Sequence, residues 1–401
     1  TRKESSAASD VYKRQAINDP ECGYHAQMER YVMDDGWWGE GSPTYHYYPL
    51  RAMLLSADAV RCRNINLYDR KLYKMLAAPA SGVYADLYFP AHNDGWYGES
   101  LIAQVSLYEI AYQRYNKDPF FLSVLQQCYR YTDRNFGEAL QNNIEIPQVT
   151  AMAAWPSVHF KETGYAVLRS GTKTVVMKYG PHGGGHGHPD KLSISIHDGE
   201  KEIVSDMGTC AYGVPAFTKW YRKTLSHSTL TVDAKDQKES TGKLLAFKAY
   251  KDGGEVSAEA LGAYSGVTME RKLILKKNKL TDILTACSDE QHLYDYVLML
   301  TEKPVFSQTG EAIILNDSPS YNYIKNAIVR KQSSPLSCKI GKAYMKIEVP
   351  DGQEFEVITG EAPGIPPGNG SVLPKYDSPF CYPLIVRVKD KKLRIKTEWK
   401  F

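Results

Sequence analysis

Apolar residues follow a helical period in the first third of the chain. They recur every three or four positions in 49–61 and again in 99–115, which predicts helices whose apolar faces pack together. Pro49 suits the first turn of one helix, and Asp118-Pro119 opens another that ends near 135–137. Residues 16–140 are therefore predicted to form helical hairpins.

From about residue 158 the apolar period changes from 3.6 to 2. The segment 192–204 is typical of a β-hairpin that turns at Asp198-Gly199. Further short strands are predicted at Val175–Tyr179, Thr229–Val232, Met269–Leu275, Val297–Leu300, Met345–Val349 and Leu384–Val388. Many short strands separated by turns indicate an antiparallel β-sandwich over 158–401. Residues 141–157, with two prolines, are predicted to be a linker. A helical part followed by a β-sandwich predicts a fold of the α+β multidomain class.

A six-residue motif occurs twice among the predicted helices. The segment 35–40 is D-G-W-W-G-E, and 94–99 repeats it as D-G-W-Y-G-E, 59 residues later. Each copy is a loop that leads into a helix. Repeated helical hairpins of this length are typical of an (α/α) toroid, whose helices and loops surround a cleft. The alternative is a chance match between two turns.

Composition excludes some classes of protein and favours none strongly. The 401 residues carry a net charge of +3, which is too balanced to indicate binding to nucleic acid or a membrane. No apolar run is long enough to span a bilayer. The seven scattered cysteines lack disulfide or zinc spacing and favour a reducing compartment, although localisation stays open between cytoplasm and periplasm. Tyrosine is abundant, 29 residues, as in a Tyr-rich core or a sugar-binding cleft.

The first residues look foreign to the rest of the chain. The segment 10–15, D-V-Y-K-R-Q, is what one reading frame of a common sequencing-transposon end encodes. We therefore expect residues 1–15 to be an artefact on a fragmentary metagenomic gene and exclude them from the fold. Targeting signals and part of the active site would then be missing from the sequence.

Residues with chemical potential concentrate in a glycine-rich segment. Residues 180–190 read G-P-H-G-G-G-H-G-H-P-D, in which glycines permit close backbone approach. His186 and His188, two positions apart, can point in opposite directions, one to a metal and one to a substrate. Downstream, Asp206 and His227 could join His188 on adjacent strands. Two imidazoles and one carboxylate suit Zn²⁺, although Asp206 could instead cap a turn and His227 lie in the core.

Three segments of this region, together with one upstream, resemble heparinase II/III-like polysaccharide lyases, which include oligoalginate and heparin/heparan sulfate lyases. They are H-G-H-P-D-K-L-S, V-S-D-M-G-T and T-L-S-H-S-T-L-T-V-D, and upstream D-G-W-W-G-E-G-S-P-T-Y-H-Y-Y. The resemblance covers about residues 30–240. It implies a site between the toroid and the sheet, with Tyr45 as catalytic tyrosine and His186 facing the substrate. It also implies one zinc ion held by His188, Asp206 and His227.

The chemistry implied is β-elimination on uronic-acid glycans such as glycosaminoglycans or alginate. A base removes the C5 proton and the C4–O bond breaks, which requires that the uronate carboxylate be neutralised. Tyr45 can serve as base and acid, with His186 as partner. The candidate substrate-binding residues are His46, Trp37, Trp38, Trp96, Tyr97, Tyr212, Tyr221 and Arg222. For the tryptophans and Tyr97, packing in the helical core is an equal alternative.

The sequence departs from the family in one respect. The family's carboxylate-neutralising residue lies on a helix well before the catalytic tyrosine, and only about 30 native residues precede Tyr45. We therefore expect the chain alone to show little activity and to associate with itself, for example as a homodimer. Two other functions stay open: a toroid glycoside hydrolase that uses paired carboxylates, drawn from Asp35, Glu40, Asp94 and Glu99, and a non-catalytic carbohydrate-binding protein.

Overall fold

The computed structural model describes residues 15–61, 63–132, 155–350, 352–364 and 379–401. Helices come first along the chain and strands follow. The helices are α1 (Tyr24–Tyr31), α2 (Pro43–Arg61), α3 (Arg70–Ala80), α4 (Val105–Arg114) and α5 (Pro119–Cys128). Of the helices in these residues, none combines the length and apolar character needed to cross a membrane.

Two helices begin where a side chain caps them. Asp69 accepts a hydrogen bond from the backbone N–H of Leu72 at α3, and Asp118 accepts one from that of Phe120 at α5, with Pro119 in the first turn. Such caps satisfy N–H groups that have no partner within the helix. The predicted start of α5 is therefore confirmed, whereas the helix ends at Cys128, before the predicted end at 135–137, which lies outside the described residues.

Helix α2 begins earlier than predicted. Pro49 lies inside it and Pro43 occupies its first turn, although an internal proline removes a backbone hydrogen bond. His46 and Tyr47 are buried together with Leu50, so the additional residues extend the buried part of the helix. This places Tyr45 within the first turn of α2.

The second part of the chain is an antiparallel sheet with long central strands. Its longest strands, β10 and β17, pair from Lys279↔Lys400 to Leu300↔Tyr382. The predicted strands all overlap observed ones, and the predicted hairpin forms between β4 and β5. The strands are β1 (Val158–Phe160), β2 (Tyr165–Ser170), β3 (Lys173–Lys178), β4 (Ser193–His197), β5 (Glu202–Val204), β6 (Leu230–Val232), β7 (Lys243–Tyr250), β8 (Gly253–Tyr264), β9 (Val267–Lys276), β10 (Lys279–Leu300), β11 (Val305–Phe306), β12 (Glu311–Ile313), β13 (Lys325–Gln332), β14 (Leu336–Ile340), β15 (Ala343–Glu348), β16 (Phe355–Pro363) and β17 (Phe380–Lys400).

The helical part covers one face of the sheet at β2. All six residues of β2 are buried. Ala166 and Leu168 join the core of the sheet, whereas Tyr165 and Val167 pack with Trp37 of the helical part. A strand covered on both faces loses the alternation of buried and exposed residues. The two parts therefore share a buried junction, and the loops at its edge can form a common site.

Arg271 on β9 holds two backbone segments that lie close to residues of the candidate site. Its guanidinium forms a fully buried ion pair with Asp282 and donates to the carbonyl oxygens of Leu192 and Ser228 at 2.8 and 2.6 Å. A buried pair of this kind is retained only where hydrogen bonds satisfy its remaining donors. The backbone next to His227 is thereby held to the sheet.

Glu202 on β5 links the sheet to the helical part. Its buried carboxylate accepts hydrogen bonds from Tyr84 Oη (2.5 Å), Tyr97 Oη (2.7 Å) and Ser205 Oγ (2.8 Å). Burial raises the pKa of Glu202 to about 7, against the opposing effect of these hydrogen bonds. The carboxyl group therefore keeps its proton in the folded protein over a pH range in which the unfolded chain releases it.

We expect Glu202→Gln to flatten the pH dependence of stability. In the wild type the folded state holds a proton at Glu202 between pH 4.5 and 7 that the unfolded state has lost, so the free energy of unfolding falls as pH rises through this window. The shift corresponds to roughly 3 kcal/mol. Urea unfolding of both proteins at about pH 4.5 and 8 measures the difference. Equal pH slopes would contradict the prediction.

Candidate active site

The glycine-rich loop between β3 and β4 packs against the helical part. Gly183 and Gly184 have φ angles of +48° and +59°, which L side chains rarely adopt. A Cβ atom on Gly183 would lie 2.6 Å from the carbonyl oxygen of Glu40. The predicted close approach is therefore confirmed, and it brings His186 and His188 to the junction of the two parts.

Tyr45 from α2 and Tyr212 from the loop after β5 meet at His186. The two tyrosine hydroxyls are hydrogen-bonded to each other, and the Tyr45 ring stacks on His186 with centroids 3.6 Å apart. Tyr212 Oη lies 3.3 Å from His186 Nδ1. Tyr212 is 53% exposed, and Tyr45 and His186 are half-buried, so the cluster is open to a substrate.

The Tyr212 hydroxyl keeps its proton at neutral pH. Desolvation, the hydrogen bond with Tyr45 and the nearby Asp94 carboxylate raise the pKa of Tyr212 above its ordinary value. A protonated hydroxyl can donate to the oxygen of Tyr45 when that oxygen carries negative charge. Tyr45 can thus exchange a proton with a substrate, and Tyr212 can stabilise the negative charge on the Tyr45 oxygen by donating a hydrogen bond.

Asp94 holds the histidines of the glycine-rich loop. Its Oδ2 lies 2.9 Å from His186 Nδ1 and its Oδ1 lies 3.0 Å from His188 Nε2. Burial alone would raise the pKa of Asp94, but these hydrogen bonds and the charge of Arg222 hold it below its ordinary value. The side chain is therefore an ionised carboxylate that accepts from both rings.

A second, fully buried group lies next to this cluster. Candidate ligand atoms of Asp190, Asp206 and His227 lie within 4.8 Å of one another. His227 Nδ1 is 3.2 Å from Asp206 Oδ2. The His188 ring lies 5.2 Å from the His227 ring between centroids. The predicted residues Asp206, His227 and His188 are thus brought together, and Asp190 joins them.

Two imidazole nitrogens of this group have no hydrogen-bond partner among the residues that the structure describes. His188 Nδ1 and His227 Nε2 are buried without a hydrogen bond. Burial lowers the pKa of His188 to about 4, so its ring is neutral and one nitrogen carries a lone pair. Buried unsatisfied nitrogens are costly, and a metal ion is one partner that satisfies them. The residues present therefore fit a Zn²⁺ ion.

Asp190 has a cationic partner of its own. Lys178 Nζ, almost fully buried, lies 2.7 Å from Asp190 Oδ1 and also donates to Asn93 Oδ1. Burial alone would raise the pKa of Asp190, but Lys178, His227 and Lys191 lower it well below its ordinary value. The three residues whose ligand atoms lie within 4.8 Å of one another include Asp190 and not His188. Because Lys178 already neutralises Asp190, and His188 Nδ1 lacks a partner, His188 stays the predicted third ligand.

Two of the predicted substrate-binding residues, Arg222 and Trp96, lie near the cluster of Tyr45, His186 and Tyr212. Arg222 Nη2 donates to the carbonyl oxygen of Gly187 at 2.8 Å, and its side chain is half-buried. Trp96 is half-buried, and its backbone N–H donates to Thr44 Oγ1 at 3.0 Å, next to Tyr45. Their contact with a substrate stays a prediction.

Five predicted substrate-binding residues are buried in the structure, which does not favour their contact with a substrate. His46 is fully buried, its Nδ1 accepting from the Trp38 backbone and its Nε2 meeting the Met75 carbonyl. Burial lowers its pKa to about 4. Tyr221, 1% exposed, donates to the Gly364 carbonyl. The others, which are buried among helical or junction residues, are Trp37, Trp38 and Tyr97.

The carboxylates of the hydrolase alternative mostly have structural partners. Asp35 accepts from the backbone N–H groups of Glu162 and Thr163, and Glu40 accepts from Trp38 Nε1. Asp94 binds two histidines. Burial raises the pKa of Glu99 to about 7. Because the other three carboxylates have structural partners, the geometry does not favour a free acid and base pair.

Sequence reasoning missed Asn93, Lys178 and Asp190 and assigned Asp94 to a different chemistry. Asp190 directly follows H-G-H-P, so its position was a usable signal. Lys178 sits at the end of β3, where a lysine in a buried strand is unusual. For Asp94, the histidine partners are 92 and 94 residues away, and no local pattern indicates them.

The amino-acid sequence is similar to those of two known lyases. The chain is 28% identical over 327 residues to an alginate lyase of Stenotrophomonas maltophilia, covering 71% of this chain and 43% of that protein. It is 23% identical over 219 residues to a heparin-sulfate lyase of Pedobacter heparinus, covering 52% and 31%. The chain thus spans less than half the length of these relatives.

Solved structures share the fold. A heparinase III gene product superposes with a TM-score of 0.70 at 16% identity, covering 98% of this chain and 56% of that one. A heparan sulfate lyase of Pedobacter heparinus gives 0.68 at 16% identity, covering 94% and 55%. The segment that contains His186, His188, Asp206 and His227 also matches a family description, Heparinase II/III-like, C-terminal. The matched residues are 152–287, so this part of the chain is similar to the heparinase II/III-like C-terminal domain family.

Proposed function

We propose that the chain carries the site of a lyase that cleaves uronic-acid glycans by β-elimination. The observation that carries the proposal is the convergence of Tyr45, His186 and Tyr212, all at least partly exposed, at the junction between the helical part and the sheet. The names of the relatives, alginate lyase and heparin-sulfate lyase, support the reaction class. We also infer that α1–α5 are part of an (α/α) toroid.

The proposed reaction needs one proton carrier. The Tyr45 oxygen takes the C5 proton, the C5 electron pair forms the C4–C5 double bond, and the C4–O bond breaks. The same hydroxyl then returns the proton to the departing oxygen. Tyr212 donates to the Tyr45 oxygen while it is charged. His186 belongs to this cluster and Arg222 lies next to it. The two side chains would neutralise the uronate carboxylate, because the C5 proton is too weakly acidic to leave otherwise.

We propose that His188, Asp206 and His227 hold one zinc ion. When bound, the ion supplies positive charge and fixes the loop that presents His186. The support is the pair of buried, unpartnered imidazole nitrogens beside Asp206. In this proposal the ion organises the site, and the tyrosines move the proton.

Near-ultraviolet absorbance tests the proposed reaction, because β-elimination creates a conjugated double bond and hydrolysis does not. We would incubate the chain at stoichiometric concentration with alginate, heparin, heparan sulfate, chondroitin and hyaluronan oligosaccharides. Rising absorbance on one substrate supports a lyase and identifies the glycan. New reducing ends without absorbance would favour the hydrolase, and binding without either product would favour a carbohydrate-binding protein.

A further inference from the structure

Among the contacts described above, Asp94 is the one residue whose side chain contacts both His186, which stacks on Tyr45, and His188, a proposed zinc ligand. It is 1% exposed and uses a separate oxygen for each ring, Oδ2 for His186 and Oδ1 for His188. Its loop is fixed against the sheet by backbone hydrogen bonds, from Asp94 N to the His186 carbonyl and from Thr209 N to the Gly95 carbonyl, both 3.2 Å. The carboxylate therefore has little freedom to move.

An ionised carboxylate accepts hydrogen bonds and donates none. Each ring nitrogen that faces Asp94 must therefore carry the proton. For His188 this leaves Nδ1, the buried nitrogen without a partner, with its lone pair. For His186 it fixes Nδ1 as the nitrogen that donates to Asp94, so that Nε2 faces away from Asp94 on the other side of the ring. One side chain thus sets the tautomer of His188 and the orientation of His186, two histidines that serve different purposes.

We propose that Asp94 is a positioning residue for both rings, because it sets the tautomer that prepares His188 Nδ1 to bind the metal and orients His186 toward the substrate. The part of this proposal that concerns His186 rests on the proposed lyase function, whereas the part that concerns His188 does not. Carboxylates behind a metal-binding histidine orient the ring and raise its basicity. Here the same carboxylate also holds the ring against which Tyr45 stacks.

Asp94→Asn tests the proposal with little change in shape. An amide offers one accepting oxygen and one donating nitrogen, so it can accept from only one of the two ring N–H groups that the carboxylate accepts from. The matched control is Asp35→Asn, in the first copy of the repeated motif. Asp35 also reaches from the helical part to the sheet, where it accepts from Thr163 N and Oγ1 at 2.8 and 2.7 Å, but it contacts no histidine in the contacts described.

The first measurement is zinc affinity by competition with a chromophoric chelator. We expect Asp94→Asn to weaken zinc binding about 10–100-fold and Asp35→Asn to leave it within about two-fold of the wild type. Zinc affinity of Asp94→Asn equal to that of the wild type, or an equal loss in both variants, would overturn the proposal. A wild-type chain that binds no zinc would overturn it as well.

The second measurement separates this proposal from the proposed function. On a substrate that the wild type cleaves, we expect Asp94→Asn to lower kcat about 10–100-fold with KM little changed, because the ring is misoriented while the substrate contacts remain. A loss confined to KM would overturn the positioning of His186. If zinc binding weakens as expected but the wild type cleaves no uronate glycan, the lyase function fails and the link from Asp94 to His188 stands.

Discussion

Tyr45→Phe should lower the rate of β-elimination by about 10²–10⁴-fold, the usual contribution of a positioned acid–base group. The substitution removes the hydroxyl that bonds to Tyr212 and keeps the ring that stacks on His186. Substrate binding should therefore change little. Initial rates by ultraviolet absorbance and binding of the same oligosaccharide by calorimetry measure the two effects separately.

Tyr48→Phe is the matched control for this experiment. Tyr48 lies on the same helix, is 80% exposed and takes no part in the cluster, so its variant should keep the wild-type rate. A Tyr45→Phe protein of near-normal activity would refute the assignment of the proton carrier. Tyr212→Phe and His186→Ala would then show which neighbouring group moves the proton.

His188→Ala should abolish zinc binding and lower stability. A ligand that binds only the folded state stabilises it by about 4 kcal/mol when its free concentration is a thousand times its Kd. The variant loses one of three proposed ligands, so its free energy of unfolding should no longer respond to zinc. Elemental analysis after purification with zinc, and urea unfolding with and without a chelator, test both statements.

His182→Ala controls for the loss of a histidine from the same loop. His182 Nε2 lies 3.4 Å from Glu239, away from the proposed ligands, so this variant should keep its zinc and its response to a chelator. Wild-type protein without metal, or a His188→Ala protein with a full complement of zinc, would refute the proposed site.

The sequence predicts the strands well where one face is exposed. Strand β9 alternates buried and exposed residues along most of its length, which is the pattern that a period of 2 detects. It predicts residue exposure near the junction poorly. Trp37 and Trp38 lie in a short loop motif, D-G-W-W-G-E, that is too short to show a period, so no local pattern distinguishes a tryptophan in the core from one that lines a cleft.

The site was predictable as far as its residues lie close together in sequence. His186 and His188 stand out because glycines surround them, and the resemblance supplied Tyr45, Asp206 and His227. The role of Asp94 could not be predicted, because it depends on contacts with two histidines that are distant in sequence and lie near Asp94 only in the folded protein. His46 was misassigned because adjacency to Tyr45 in sequence places it on a different side of the helix.

The separation between Asp94 and its histidine partners also has a consequence for biosynthesis. Translation proceeds at about 5–20 residues per second. His186 and His188 follow Asp94 by 92 and 94 residues, so they leave the ribosome about 5–20 s after it. During that interval the Asp94 carboxylate lacks both of its histidine partners. By contrast, the three proposed zinc ligands all lie on the sheet side, between residues 188 and 227, so a nascent sheet can acquire its ion before the helical part docks against it.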